Sequence, residues 1–289
     1  MPRSSEPRVV AAGAGAAWWG KGFHMLTSNF WTWIGIMLVY IIVGVLINIV
    51  PYVGSIGYSL LTPVFVGGLM IGCQAIERNE PLRVAHLFEG FQGTHFVSLM
   101  IIGGVNVALS LGLGALEVAV VPGGLKFADL SHMGTLADPF GALIGYANAI
   151  TGTAMLTTLL ILVIAAVFAM LNWFAPALVA LRGASAVEAM KLSFLSCWRN
   201  WAPFLVYGLV AVGILFGAVV VIVLALTLYS PRAGFDVFEL LALFAAFAVV
   251  GFFIGLVAIL FIGPIVFGSW YAGYKDTLGA NDIEPGVSA

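Results

Sequence analysis

Apolar residues dominate six runs of this chain, at about 31–49, ending near 76, 96–121, 150–181, 202–228 and 240–271, with charged residues, Glu117 apart, confined to the segments between them. Each run reaches or exceeds the roughly 20 residues an α-helix needs to cross a bilayer. The pattern therefore predicts six transmembrane helices. The turn between the first two runs carries Pro51 and Gly54 and no charge, which predicts an antiparallel helical hairpin. The fourth run is longer than one crossing requires and contains Pro176, so a kink or an exit from the bilayer is expected there.

The segments before runs one, three and five are amphipathic. Trp19, Phe23, Leu26, Phe30 and Trp33 recur at helical spacing and predict one apolar stripe on one helix. Over 185–201, Val187, Met190, Phe194, Cys197, Trp198 and Trp201 share an arc opposite Glu188, Ser196, Arg199 and Asn200. The polar stretch 77–95 shows a weaker stripe through Val84, Leu87 and Phe91. Tryptophan beside basic residues suits a headgroup layer, so Trp18, Lys21, Trp33, Lys191, Trp198, Arg199 and Trp201 are the candidate lipid-interface residues.

One constant offset carries Phe23 onto Phe194, Asn29 onto Asn200 and Phe30 onto Trp201. Each even-numbered run also holds a proline, Pro63, Pro176 or Pro264, followed by a basic residue at Arg78, Arg182 or Lys275. The expected fold is all-α: a polytopic membrane bundle of six helices, built as three parallel hairpin repeats with interfacial amphipathic helices on the cytoplasmic side. Gly68/Gly72, Gly213/Gly217 and Gly251/Gly255 have GxxxG spacing and predict close helix approach.

Composition agrees: 62% of residues are hydrophobic and 8% charged, against about 45–50% and about 25% in soluble domains. Arg3, Arg8, Lys21, Arg78, Arg83, Arg182, Lys191, Arg199 and Lys275 fall on the face shared by both termini, and Lys126 and Arg232 on the other. That bias predicts cytoplasmic termini. Residues 1–17 read as a disordered cytoplasmic tail, 18–276 as a single membrane domain and 277–289 as a flexible tail. The 122–139 loop is the longest on the opposite side. Cys73 and Cys197, the two cysteines, read as small buried side chains without a disulfide.

Ionisable residues are missing from the middle of every run; Glu117 and Glu239 stand at span ends. Proton- or ion-coupled transport usually places such groups at membrane depth. His24, His86, His95 and His132 lack metal-site spacing, although His86 and Glu89 share a helix face. No phosphate loop or nucleophile elbow is present. Catalytic residues, cofactor and metal are all expected to be none, and the net charge of −2 excludes a nucleic-acid partner. Membrane lipids are the expected partners, with another inner-membrane protein as a second. The reading is a non-enzymatic scaffold or accessory subunit; the alternative is a transporter or lipid-handling protein.

The stretches WFAPALVALRG, EAMKLSFLSCWRNWAPFLVYGL and SWYAGYKDTLG, with W-x-x-G-F at Trp19 to Phe23 and EPL at Glu80 to Leu82, resemble an uncharacterised family of six-span proteobacterial inner-membrane proteins. More loosely the chain is similar to the membrane domains fused to some glycerophosphodiester phosphodiesterases. The resemblance implies topology and a bacterial inner-membrane location, and it implies no activity.

Overall fold

A computed structural model describes residues 6–50, 53–120, 152–229 and 237–279, which are helical with no strand among them. The helices are α1 (Ala14–Ser28), α2 (Phe30–Asn48), α3 (Val53–Glu77), α4 (His95–Val120), α5 (Gly152–Asn172), α6 (Ala175–Arg182), α7 (Ala186–Arg199), α8 (Trp201–Tyr229) and α9 (Val237–Thr277), with a 3-10 segment at Val84–Phe91. Six apolar stretches of membrane length lie on α2, α3, α4, α5 with α6, α8 and α9. The 122–139 loop, Lys126 and Arg232 lie outside the described residues.

Two corners are built the same way. Asn29 (φ −135°, ψ 39°) ends α1 and starts α2; Asn200 (φ −112°, ψ 31°) ends α7 and starts α8. Each donates its N–H to the carbonyl three residues back, Leu26 or Cys197, while its own carbonyl accepts the first bond of the next helix, from Trp33 or Phe204. The Trp19-to-Trp33 stripe expected on one helix is therefore divided at Asn29 between two.

The long fourth run does break, but two residues before the proline. The bond from Phe174 N–H to the Met170 carbonyl is replaced by the Ser193 hydroxyl, which accepts from Phe174 (2.9 Å) and donates to Met170 (2.7 Å). A side chain inserted into the helical ladder is a recognised cause of kinking. Pro176 then occupies the first turn of α6, where its missing N–H costs nothing.

Packing is concentrated towards one end of the molecule. The core joins Trp33, Phe65, Leu69, Leu87, Phe174 and Tyr271 with their neighbours from α2, α3, the 3-10 segment, α4, α6, α7 and α9. Away from it the helices separate. On α8, residues 212–218 are exposed on every face, and α5 is nearly as bare over 158–167. Helix α9 has 41 residues, about 60 Å at 1.5 Å per residue, or twice a hydrocarbon core of about 30 Å. Its last turns enter the packed end. Of the GxxxG pairs, Gly68 and Gly72 meet the 82–87 stretch closely, whereas Gly213, Gly217, Gly251 and Gly255 face open space, because they lie where the helices have diverged.

The helices flanking the core meet it through small residues as well as large ones. Helix α1 buries Gly15, Trp18, Gly22 and Leu26, while Phe23 is exposed. Helix α7 buries Ala186, Ala189, Ser193, Ser196 and Cys197 and exposes Val187 and Trp198. A Cβ at Gly22 would stand 2.2 Å from the Ile265 carbonyl oxygen, beside Pro264; one at Gly90 would stand 2.0 Å from that of Val64, beside Pro63. Only glycine lets the backbones come this near.

Candidate functional site

Residues 6–13, expected as part of a disordered tail, form a docked strap. The Asn200 side chain accepts from Val10 N–H (2.9 Å) and donates to the Arg8 carbonyl (2.9 Å), matching an extended backbone as a neighbouring strand would. Arg8 N–H donates to the Thr277 carbonyl (2.8 Å), and Arg199 pairs with Glu6 (3.0 Å). Asn200 is fully buried, so these bonds satisfy an amide that would otherwise be costly to bury. They also bring the two ends of the described chain to one face, here called the terminal face. The expected tail boundary at 277 shifts as well, since Thr277 and Leu278 are buried and the Leu278 carbonyl accepts from Arg182.

On this face a groove of about 530 Å³ opens between the strap, α1, the end of α3 and the end of α9. Asp276 on its wall takes the Lys21 ammonium at 2.8 Å and the Trp18 indole N–H at 2.9 Å. Glu77 takes Lys275 at 3.3 Å and the Tyr271 hydroxyl. Both carboxylates are thereby tied to helices other than their own. Arg8 and His24 also line the groove, and no ion pair joins either side chain to another described residue. Its floor is apolar through Met25 and Ile76.

The structure divides the sequence-predicted residues among three environments. Trp18 and Trp33 are buried, so they pack inside the protein instead of reaching lipid: the Trp18 ring meets Phe204 edge-on, and the Trp33 N–H bonds the Met25 carbonyl. Lys21 belongs to the groove just described. Lys191 and Arg199 come together in a second hollow of about 340 Å³ with Glu6 and Glu188, where the acids match the bases in number. Trp198 and Trp201 are exposed and free to meet a headgroup layer.

Three residues at this face had weak sequence signals. Glu77 and Asp276 look like solvated helix-end carboxylates until the fold brings basic partners to them, and Arg8 sits in a stretch without periodicity. His86 is more legible: its Nδ1 accepts from Arg83 N–H at 3.1 Å and its Nε2 lies 3.6 Å from Glu89, so it caps the 3-10 segment. Cys73 and Cys197 are both buried and unbridged. Burial pushes the Cys197 thiol up to about 12, against a smaller lowering by its hydrogen bond with Ser193. Such a thiol is no nucleophile at neutral pH. Among the described residues no three His, Cys, Asp or Glu side chains gather as metal ligands would.

No family model matches the chain, and no solved structure matches it. It is 26% identical over 288 residues to a probable inner membrane protein of Burkholderia thailandensis, an alignment covering 96% of this chain and 95% of that one. With six apolar helices of membrane length, this likeness places the chain among inner-membrane proteins.

Proposed function

We propose that this protein is a non-enzymatic scaffold or accessory subunit of the inner membrane. The observation that carries the reading is the division into a packed end and bare arms. Charged side chains at the packed end are used against one another, in Lys21–Asp276, Lys275–Glu77 and Arg199–Glu6, which suits a rigid platform. The arms, exposed all round over 212–218, need to be covered by lipid or by the helices of a partner. The apolar core between the Pro-containing segments supports this reading over a transporter, which would want a polar path there. The exposed Trp198 and Trp201 suit anchoring of the platform in the headgroup layer, and the basic residues of the terminal face support a cytoplasmic side for both termini.

The platform is assembled from three like units. Gly22, Gly90 and Ser193 are each followed by phenylalanine, and each meets an even-numbered span beside its proline: at Ile265, at Val64 and at Phe174. Contacts of one kind at three places support a parallel threefold arrangement, including a middle unit that sequence comparison alone supports weakly.

Affinity purification in nanodiscs followed by native mass spectrometry tests the role. Stoichiometric recovery with a second inner-membrane protein is the expected result. A monodisperse chain without partners that moves solute across liposomes would overturn it.

A further inference from the structure

We propose that the groove bounded by the strap, α1 and the ends of α3 and α9 binds the phosphate of a phospholipid headgroup through Arg8 and His24. Four observations converge on it. First, the Arg8 backbone is fixed at both polar groups, its N–H to the Thr277 carbonyl and its C=O by Asn200, while its guanidinium is paired with no other described residue. A cation held this firmly with its head group unused is preorganised for an anion. Second, the carboxylates on the wall are already matched, Asp276 by Lys21 and Glu77 by Lys275, so the positive charge left over is that of Arg8. Third, the floor offers Met25 and Ile76 to an acyl chain, and the exposed Phe23 flanks His24 on α1. Fourth, the groove lies where the membrane-length stretches of α3 and α9 end, at Glu77 and Thr277, and the ends of spanning helices meet the headgroup layer. The second hollow lacks this surplus, since Glu6 and Glu188 balance Lys191 and Arg199.

Guanidinium binds phosphate with two parallel hydrogen bonds, a geometry that glutamine cannot reproduce. The test uses the full chain and its Arg8→Gln, His24→Gln, double and Lys191→Gln variants, reconstituted in nanodiscs of phosphatidylethanolamine and phosphatidylglycerol and released for native mass spectrometry. Arg8 holds the strap through its main chain, so Arg8→Gln keeps the fold, checked by near-ultraviolet circular dichroism; the exposed His24→Gln is an independent second probe. Retained phospholipid should fall roughly tenfold in Arg8→Gln, the effect of one lost charge-assisted hydrogen bond, further in the double variant, and stay unchanged in Lys191→Gln. Equal retention in the wild type and the double variant would overturn the site. So would an equal loss in Lys191→Gln, which would mean general surface attraction. A parallel arm adds inorganic phosphate to protein in neutral detergent: protection against thermal unfolding as strong as that by phospholipid would overturn the lipid source in favour of a free anion.

Discussion

Ser193 shows how one hydroxyl can decide the course of a helix. Its oxygen takes the place of a backbone bond between Phe174 and Met170, inside a fully buried environment. Ser193→Ala leaves a buried N–H and a partly buried carbonyl without partners, so it should cost about 2–4 kcal/mol; chemical denaturation in mild detergent measures this, and an unchanged midpoint would show that the ladder re-forms unaided. Four residues on, Cys197 is held as a neutral thiol. Its value is raised from 9.0 to about 12, so the folded state keeps its proton where the unfolded chain would lose it. The stabilisation is complete below pH 9 and is lost as pH rises towards 12. Maleimide labelling at pH 8 should therefore fail at Cys197 in the folded protein and succeed after denaturation. Neither role was legible in the sequence, where Ser193 is one small residue in an amphipathic arc and Cys197 is counted with the apolar ones. Asn29 and Asn200 were legible as a recurrence, but their cause is a backbone conformation shared by two corners, which no side-chain pattern reports.

Helix by helix, the existence and approximate limits of the elements follow from hydropathy, because in lipid an apolar run has few options besides a helix. What hydropathy misassigns is the inward face. In water, the large apolar residues of a helix turn in; beside a bilayer they can also turn out, leaving the small residues to make the protein contacts. That is why Phe23, Val187 and Trp198 are outside while Gly22, Ala189 and Ser193 are inside. Two substitutions on α1 separate the faces. Gly22→Ala puts a methyl 2.2 Å from the Ile265 oxygen and should cost about 3 kcal/mol, the upper end of the overpacking range, since backbone cannot move aside as a side chain does. Gly20→Ala meets nothing within 4 Å and should add about 0.5–1 kcal/mol through helix propensity. Thermal unfolding of the two variants against the wild type reads both signs; a loss in Gly20→Ala with none in Gly22→Ala would show that α1 packs by the opposite face.

For the whole molecule, the packed end and the basic residues coincide, and this coincidence has a consequence for insertion. Arg8, Lys21, Arg182 and Arg199 are drawn to the terminal face by contacts with the strap or the end of α9, and Lys275 by its pair with Glu77 at the end of α3. The strap bond from Arg8 to Thr277 requires both ends of the membrane domain to finish on one side, which an even number of spans allows. Translocating that face would carry the strap, the groove and α7 through the bilayer together with their charges, whereas the opposite loops offer only Lys126 and Arg232 as basic groups. Alkaline phosphatase fused within the loops at Asp129 and Arg232 should therefore be active, and a fluorescent protein fused after Ala289 should fluoresce. Reversal of both signals would place the groove outside the cytoplasm and its headgroup in the other leaflet. The bias in basic residues is read from loop composition alone; the fold adds that both termini share a side, and the basic residues gathered there argue for which side it is. A chain inserted the other way round would have to dock its strap, pair Lys21 with Asp276 and seat Asn200 on a side where its basic residues are least readily delivered.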